Sequence, residues 1–195
     1  NNVRVIKRFS ETIMDLSSGQ LKELSMAFNL NQTRDGYLNC ISLKTASLFE
    51  TACETGAILS GADEKLIEAL KCYGRNLGMA FQIIDDILDI DGSQAQTGKP
   101  TGQDLAHGII TLPSLLALNK NEGENPIGYM FNDSNNESLL DGCIKFVQDK
   151  DVLDECYQIA QDYCGNALES LNILDSNRYK ESLIELVSYV VNRRT

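Results

Sequence analysis

The sequence predicts an all-α fold, and three observations carry that expectation. Apolar residues recur at three-to-four spacing along most of the chain, the period that lines one face of an α-helix. Only three of the 195 residues are proline and none is tryptophan, whereas Leu, Ile, Ala and Glu are plentiful. No pair of segments alternates apolar and polar residues as paired strands would. Neither an internal repeat nor a linker-like stretch divides the chain, so residues 1–195 read as a single all-helical domain, a bundle.

Taken in order, residues 3–28 read as a helix with Val5, Ile6, Phe9, Ile13, Leu16, Leu21 and Leu24 on one side. Residues 29–36 are polar and turn-like. A second long helix is expected over 35–60, carrying Leu38, Ile41, Ala46, Phe49, Cys53 and Ala57. Gly61 stops it and Asp63 caps the next, which runs over 64–92 with Leu66, Leu70, Tyr73, Leu77 and Phe81. Residues 92–108 form a glycine-rich polar loop, followed by a short helix over 112–118. Residues 119–136, rich in Asn, Gly and Glu, read as a mobile surface connection. Three amphipathic helices are expected to close the chain, over 137–150, 151–174 and 177–192.

The formal net charge of −11 leaves no basic stripe to replace counterions on a polynucleotide, so nucleic acid is not an expected partner. The apolar runs are too short to cross a bilayer and the first residues show no secretory pattern, so a cytoplasmic protein with no membrane span is the expectation. The six cysteines include no C-x-x-C pair and the single histidine, His107, cannot complete a zinc site with them; most fall at helical core positions, as thiols in a reduced compartment do. The chain begins Asn1-Asn2-Val3 and enters helical periodicity at once, as a segment within a longer gene product would.

The most specific chemistry lies in Phe81-Gln82-Ile83-Ile84-Asp85-Asp86-Ile87-Leu88-Asp89-Ile90. On a helix, Gln82, Asp85, Asp86 and Asp89 share a wedge of roughly 100°, with apolar residues around the rest of the circumference. Three like charges on an otherwise buried helix are costly unless a cation neutralises them. Hard carboxylate oxygens suit Mg²⁺, which keeps several waters and bridges to substrate phosphates. Lys44-Thr45, in the middle of the second helix, and Lys99, in Gly98-Lys99-Pro100-Thr101-Gly102, add an ammonium, a hydroxyl and a second ammonium that could meet the same phosphate-rich ligand.

Those residues resemble a known family. The Phe81-to-Asp89 run is similar to the second aspartate-rich motif of trans-isoprenyl (polyprenyl) diphosphate synthases. Gly98 to Leu105 followed by Thr111-Leu112-Pro113 resembles the signature that comes after it in the medium- and long-chain enzymes. Lys44 to Phe49, Ser60 to Asp63 and Leu186 to Arg194 match in order and spacing, with heptaprenyl-type enzymes the nearest likeness. The resemblance implies a helical bundle of the isoprenoid synthase type, here without its N-terminal helices. It implies a prenyltransferase of isoprenoid biosynthesis, in which an allylic diphosphate is ionised and isopentenyl diphosphate adds to it. Asp85, Asp86 and Asp89 would then hold Mg²⁺. Lys44, Thr45, Gln82 and Lys99 would contact the substrate, with Lys44, Asp85 and Lys99 the catalytic set, and Phe49 and Phe81 candidates for the wall of a dry cavity.

The family carries two aspartate-rich motifs, whereas Asp85-Asp86 is the only Asp-Asp pair here. The expectation is therefore that this chain alone is inactive and joins a homodimer or heterodimer. Ile109 stands where many relatives have lysine, and the family's Gly-Glu pair reads Gly19-Gln20, with Glu23 one turn later. The alternative is a non-catalytic or split-subunit homologue that acts as an interaction module.

Overall fold

Asn2 opens the first helix, its side-chain oxygen accepting from the N–H groups of Arg4 and Val5, and α1 follows as Val3–Met26. This is a computed structural model, and it describes residues 2–91, 101–121, 123, 125–132 and 139–193. Thr33 caps α2 (Arg34–Ile41) by accepting from Gly36 N–H, and the rod continues through a π-helical turn, Ser42–Ala46, into α3 (Ser47–Leu59). The Asp63 side chain accepts from Leu66 N–H and starts α4 (Glu64–Asp91). Then come α5 (Gln103–Ala106), α6 (Leu112–Lys120), α7 (Pro126–Asn132) and α8 (Leu140–Val147). Asp149 caps α9 (Lys150–Ser170), which ends in a 3₁₀ turn, and Asn177 caps α10 (Arg178–Asn192).

The axis of the bundle is α4. Its buried face carries Tyr73, Leu77, Ala80, Ile83, Ile84, Ile87 and Ile90, and it packs between α3 and α9. Each fully buried isoleucine contributes roughly 1.5–3 kcal/mol relative to exposure. Gly78 makes the crossing with the π turn possible, because a Cβ there would lie 2.6 Å from the Ala46 Cα. At the other end of the helix's reach, Tyr73 Oη donates to Leu183 O at 2.8 Å and ties α4 to α10.

The second expected helix appears at almost its full length, as α2, the π turn and α3. Two short elements were not expected. The polar stretch after Lys120 contains α7, opened by Pro126 in a position that needs no N–H donor and anchored by buried Ile127. The loop after α4 contains α5. Cys40, Cys143, Cys156 and Cys164 are buried, and burial pushes the Cys156 thiol up to about 12.

Helix α1 forms as expected, but its apolar stripe faces away from the rest of the chain. Ile6, Phe9, Ile13, Leu21 and Leu24 are 48–68% exposed. Its inward face is polar and small: Thr12 meets Thr51, Arg8 pairs with Glu50 and Glu54, and Gly19 lies on the π turn.

Candidate active site

A π turn inserts one residue into a helix and shifts the side chains that follow. Here Ser47 N–H reaches back five residues to Ser42 O, and the insertion falls on Ser42-Leu43-Lys44-Thr45-Ala46. Ala46 points inward against α4, which leaves Lys44 and Thr45 beside the acidic segment of α4. Thr45 Oγ1 donates to Gln82 Oε1 at 2.7 Å, and Gln82 Nε2 donates to Asp86 Oδ1 at 2.7 Å. Tyr37 Oη, from α2, donates to the other oxygen of Asp86 at 2.6 Å. A relay from the π turn through Gln82 thus fixes the carboxylate at the centre of the site.

The three aspartates of the motif diverge. Asp86 is buried and faces inward between α2 and α4. Asp85 is exposed, and its Oδ1 accepts from Arg193 Nη2 at 2.6 Å, while the same guanidinium lies 4.4 Å from the centre of the Phe81 ring. Asp89 turns to the next segment: its two oxygens accept from the N–H groups of Gln103 and Asp104, both at 3.1 Å, and its carbonyl accepts from Gly102 N–H. This cap at the start of α5 brings Asp104 to the site.

Together they enclose a cavity of about 230 Å³. Lys44, Gln82, Asp85, Asp86 and Asp104 form its polar wall, with Tyr37 behind Asp86 and Glu23 entering from α1. Met26, Ile41, Ile109 and Ile110 form an apolar side. Burial pushes Asp86 well above the usual carboxylate range; the hydrogen bonds from Tyr37 and Gln82 oppose that shift and the charges of Asp104 and Asp85 add to it. Burial raises Asp89 and carries Asp104 up to about 6, helped by the charges of Asp89 and Glu23.

The donors around the cavity are oxygens, the chemistry a hard divalent cation requires. Among the described residues no three acidic, His or Cys groups already form a closed metal cage. Mg²⁺ does not need one, since it binds through one or two carboxylates and keeps its waters. Carboxylates raised by burial and mutual repulsion are those a cation would return to the ionised form. The residues present therefore fit such an ion.

Of the residues singled out in the sequence, Lys44, Gln82, Asp85 and Asp86 line the cavity, while Thr45 and Asp89 stand behind it and hold Gln82 and α5. Lys99 lies outside the described residues. Phe49 and Phe81 pack on each other, ring centres 5.3 Å apart, and do not line the cavity. Tyr37 and Asp104 were not foreseen as site residues. Tyr37 has no local motif to mark it; Asp104 lay within the glycine-loop signature, and a carboxylate there was the available signal.

The family model for polyprenyl synthetase matches residues 1–147. The chain belongs to the polyprenyl synthetase family, with its all-α isoprenoid synthase fold. It is 34% identical over 194 residues to heptaprenyl diphosphate synthase component 2 of Bacillus subtilis (strain 168), covering 100% of this chain and 56% of that protein. It is 35% identical to solanesyl-diphosphate synthase 2, chloroplastic, of Oryza sativa subsp. japonica, over 98% of this chain and 47% of that one. Among solved structures, the polyprenyl synthase of Caulobacter crescentus CB15 complexed with calcium and isoprenyl diphosphate superposes with a TM-score of 0.94 at 31% identity, over 100% of this chain and 60% of that chain. The chain thus spans about half to three fifths of the length of these proteins. Among the described residues no helix is long and apolar enough to cross a membrane.

Proposed function

We propose that the cavity is the allylic-diphosphate site of a polyprenyl diphosphate synthase that elongates its substrate with isopentenyl diphosphate, long-chain and of heptaprenyl type. The observation that supports this most is the convergence of Lys44, Gln82, Asp85, Asp86 and Asp104 on one cavity with an apolar side. A pure interaction module has no use for three carboxylates, Asp85, Asp86 and Asp104, lining one cavity. The calcium and isoprenyl diphosphate bound by the Caulobacter crescentus relative support the same ligand class.

In this reading Asp85 and Asp86 would hold Mg²⁺. Asp89 serves the same site through the segment it caps and completes the set of carboxylates that would hold the ion. Bound Mg²⁺ would neutralise the diphosphate as its C–O bond breaks and the electron pair leaves with it. Lys44 would place its ammonium on the departing oxygens, where negative charge develops, and Thr45 orients Gln82 beside it; Lys99 is given the same part only by its place in the glycine-loop signature. The apolar side, including Ile109 and Ile110, keeps water from the allylic cation until the double bond of isopentenyl diphosphate forms the new C–C bond and a proton is released.

With one Asp-Asp pair in its sequence, the chain alone is not a competent prenyl transferase in this reading, and it works in a homodimer or heterodimer. The name "component 2" of the Bacillus subtilis relative supports the heterodimer. The test is prenyl transfer with radiolabelled isopentenyl diphosphate. The complete enzyme that contains this segment should turn over and this chain alone should not. In the complete enzyme, Asp85→Ala should lower kcat by roughly 10³-fold with no loss of helicity. Turnover unaffected by Asp85→Ala would contradict the metal role.

A further inference from the structure

Glu23 lines the cavity without a part in the chemistry above, and the packing of α1 explains how it gets there. At Gly19 a Cβ would lie 2.6 Å from Lys44 N and 2.9 Å from Lys44 Cα, so only a glycine lets α1 come this close to the π turn. Cys40 Sγ reaches Gly19 O at 3.5 Å in the same contact. One helical turn later Glu23 meets Lys44, whose Nζ donates to both Glu23 oxygens at 2.7 Å. Among the described residues Lys44 is the only cation in the cavity lining, against the four acids Glu23, Asp85, Asp86 and Asp104. Among the described residues, the one ammonium in the cavity lining is therefore already held.

We propose that Glu23 is a positioning residue that holds Lys44 while the cavity is empty and releases it to an incoming diphosphate, so that diphosphate affinity is set against the Glu23–Lys44 ion pair. The proposal rests on the reading of the cavity as a diphosphate site. Two features suit an exchange better than a permanent brace. The Lys44 side chain is 37% exposed, so solvent weakens the pair, and a diphosphate offers the ammonium a denser negative charge. Glu23 also keeps a second donor when Lys44 leaves, since Gln20 Nε2 reaches its Oε1 at 3.2 Å.

The experiment is calorimetric titration of inorganic diphosphate, in excess Mg²⁺, into the wild-type chain and the Glu23→Gln, Glu23→Asp, Lys44→Gln and Glu23→Gln/Lys44→Gln variants. Glu23→Gln should bind diphosphate roughly fivefold more tightly, the scale of a partly exposed ion pair. Glu23→Asp keeps the charge but withdraws it by one methylene, and should fall between wild type and Glu23→Gln. In the Lys44→Gln background the gain should disappear. A gain that persists without Lys44 would show simple charge repulsion and overturn the proposal. Unchanged or weaker binding in both Glu23 variants would overturn it as well, weaker binding pointing to Glu23 as a metal ligand. If wild type binds diphosphate and the variants do not differ, only this proposal fails. If neither wild type nor Glu23→Gln binds, the diphosphate reading fails with it.

Discussion

Asp86 is a buried carboxylate whose two oxygens are each met by one donor, Tyr37 and Gln82. Tyr37→Phe removes one of them and leaves the carboxylate short of a partner in a place water reaches poorly. Leaving a buried acceptor without its donor costs about 1–3 kcal/mol, so urea unfolding at pH 7 should show a loss on that order. Asp104 gives a prediction of opposite sign. Its carboxyl is raised from 3.8 to about 6, so the native state binds that proton more tightly than the unfolded chain does. Its contribution to stability is full below about pH 4 and is lost as pH rises through about 6. Asp104→Asn should therefore stabilise the ligand-free protein at pH 7, by on the order of 2 kcal/mol, and make no difference at pH 4. Paired urea melts at the two pH values check it. Residue chemistry was legible in the sequence only where it was local: periodicity put Gln82, Asp85, Asp86 and Asp89 on one helix face, but the divergence of the three carboxylates to partners on α2, on α5 and just past α10 was not legible. Nor was Tyr37, because its pairing with Asp86 spans 49 positions and depends on how α2 crosses α4.

At the scale of elements, the long helices were legible because their apolar residues repeat every three to four positions. The rod from Arg34 to Leu59 was foreseen over 35–60, yet its π turn was not, since one inserted residue barely alters that pattern. The turn lies where two neighbouring helices pack closely on it. Gly19 and Gly78 let two helices press on it from two sides, and the extra residue leaves Lys44 beside Glu23 and Thr45 beside Gln82. Gly78→Ala would set a Cβ 2.6 Å from the Ala46 Cα, a backbone atom with little room to yield. The cost should be about 1–3 kcal/mol, the range of overpacked cores, read from the shift in thermal or urea unfolding. The short helices α5 and α7 escaped notice for another reason. Four and seven residues carry no usable periodicity, and each is held by a tertiary anchor, Asp89 for one and Ile127 for the other.

For the whole molecule, the charge of −11 made a polynucleotide partner unexpected, and the acidic motif with its flanks pointed to the family before any fold was in view. What they left open was which way α1 faces. Its apolar stripe, Ile6, Phe9, Ile13, Leu21 and Leu24, is uncovered, and large apolar side chains exposed along one helix face are what an interaction surface presents. The chain should therefore self-associate at micromolar concentration, and Ile13→Glu with Leu21→Glu should shift it towards monomer in sedimentation velocity while the unfolding midpoint stays in place. An unmodified chain that sediments as a monomer would contradict this. The central claim is that Asp85 and Asp86 receive a divalent cation together with a diphosphate. It is tested most directly by anomalous scattering from Mn²⁺, used in place of Mg²⁺, in crystals of the protein grown with inorganic diphosphate. The account predicts an anomalous peak within coordination distance of Asp85 or Asp86, displacing Arg193 from Asp85 where the two compete. Ordered diphosphate elsewhere, or a cavity that stays empty of manganese at saturating concentration, would contradict it.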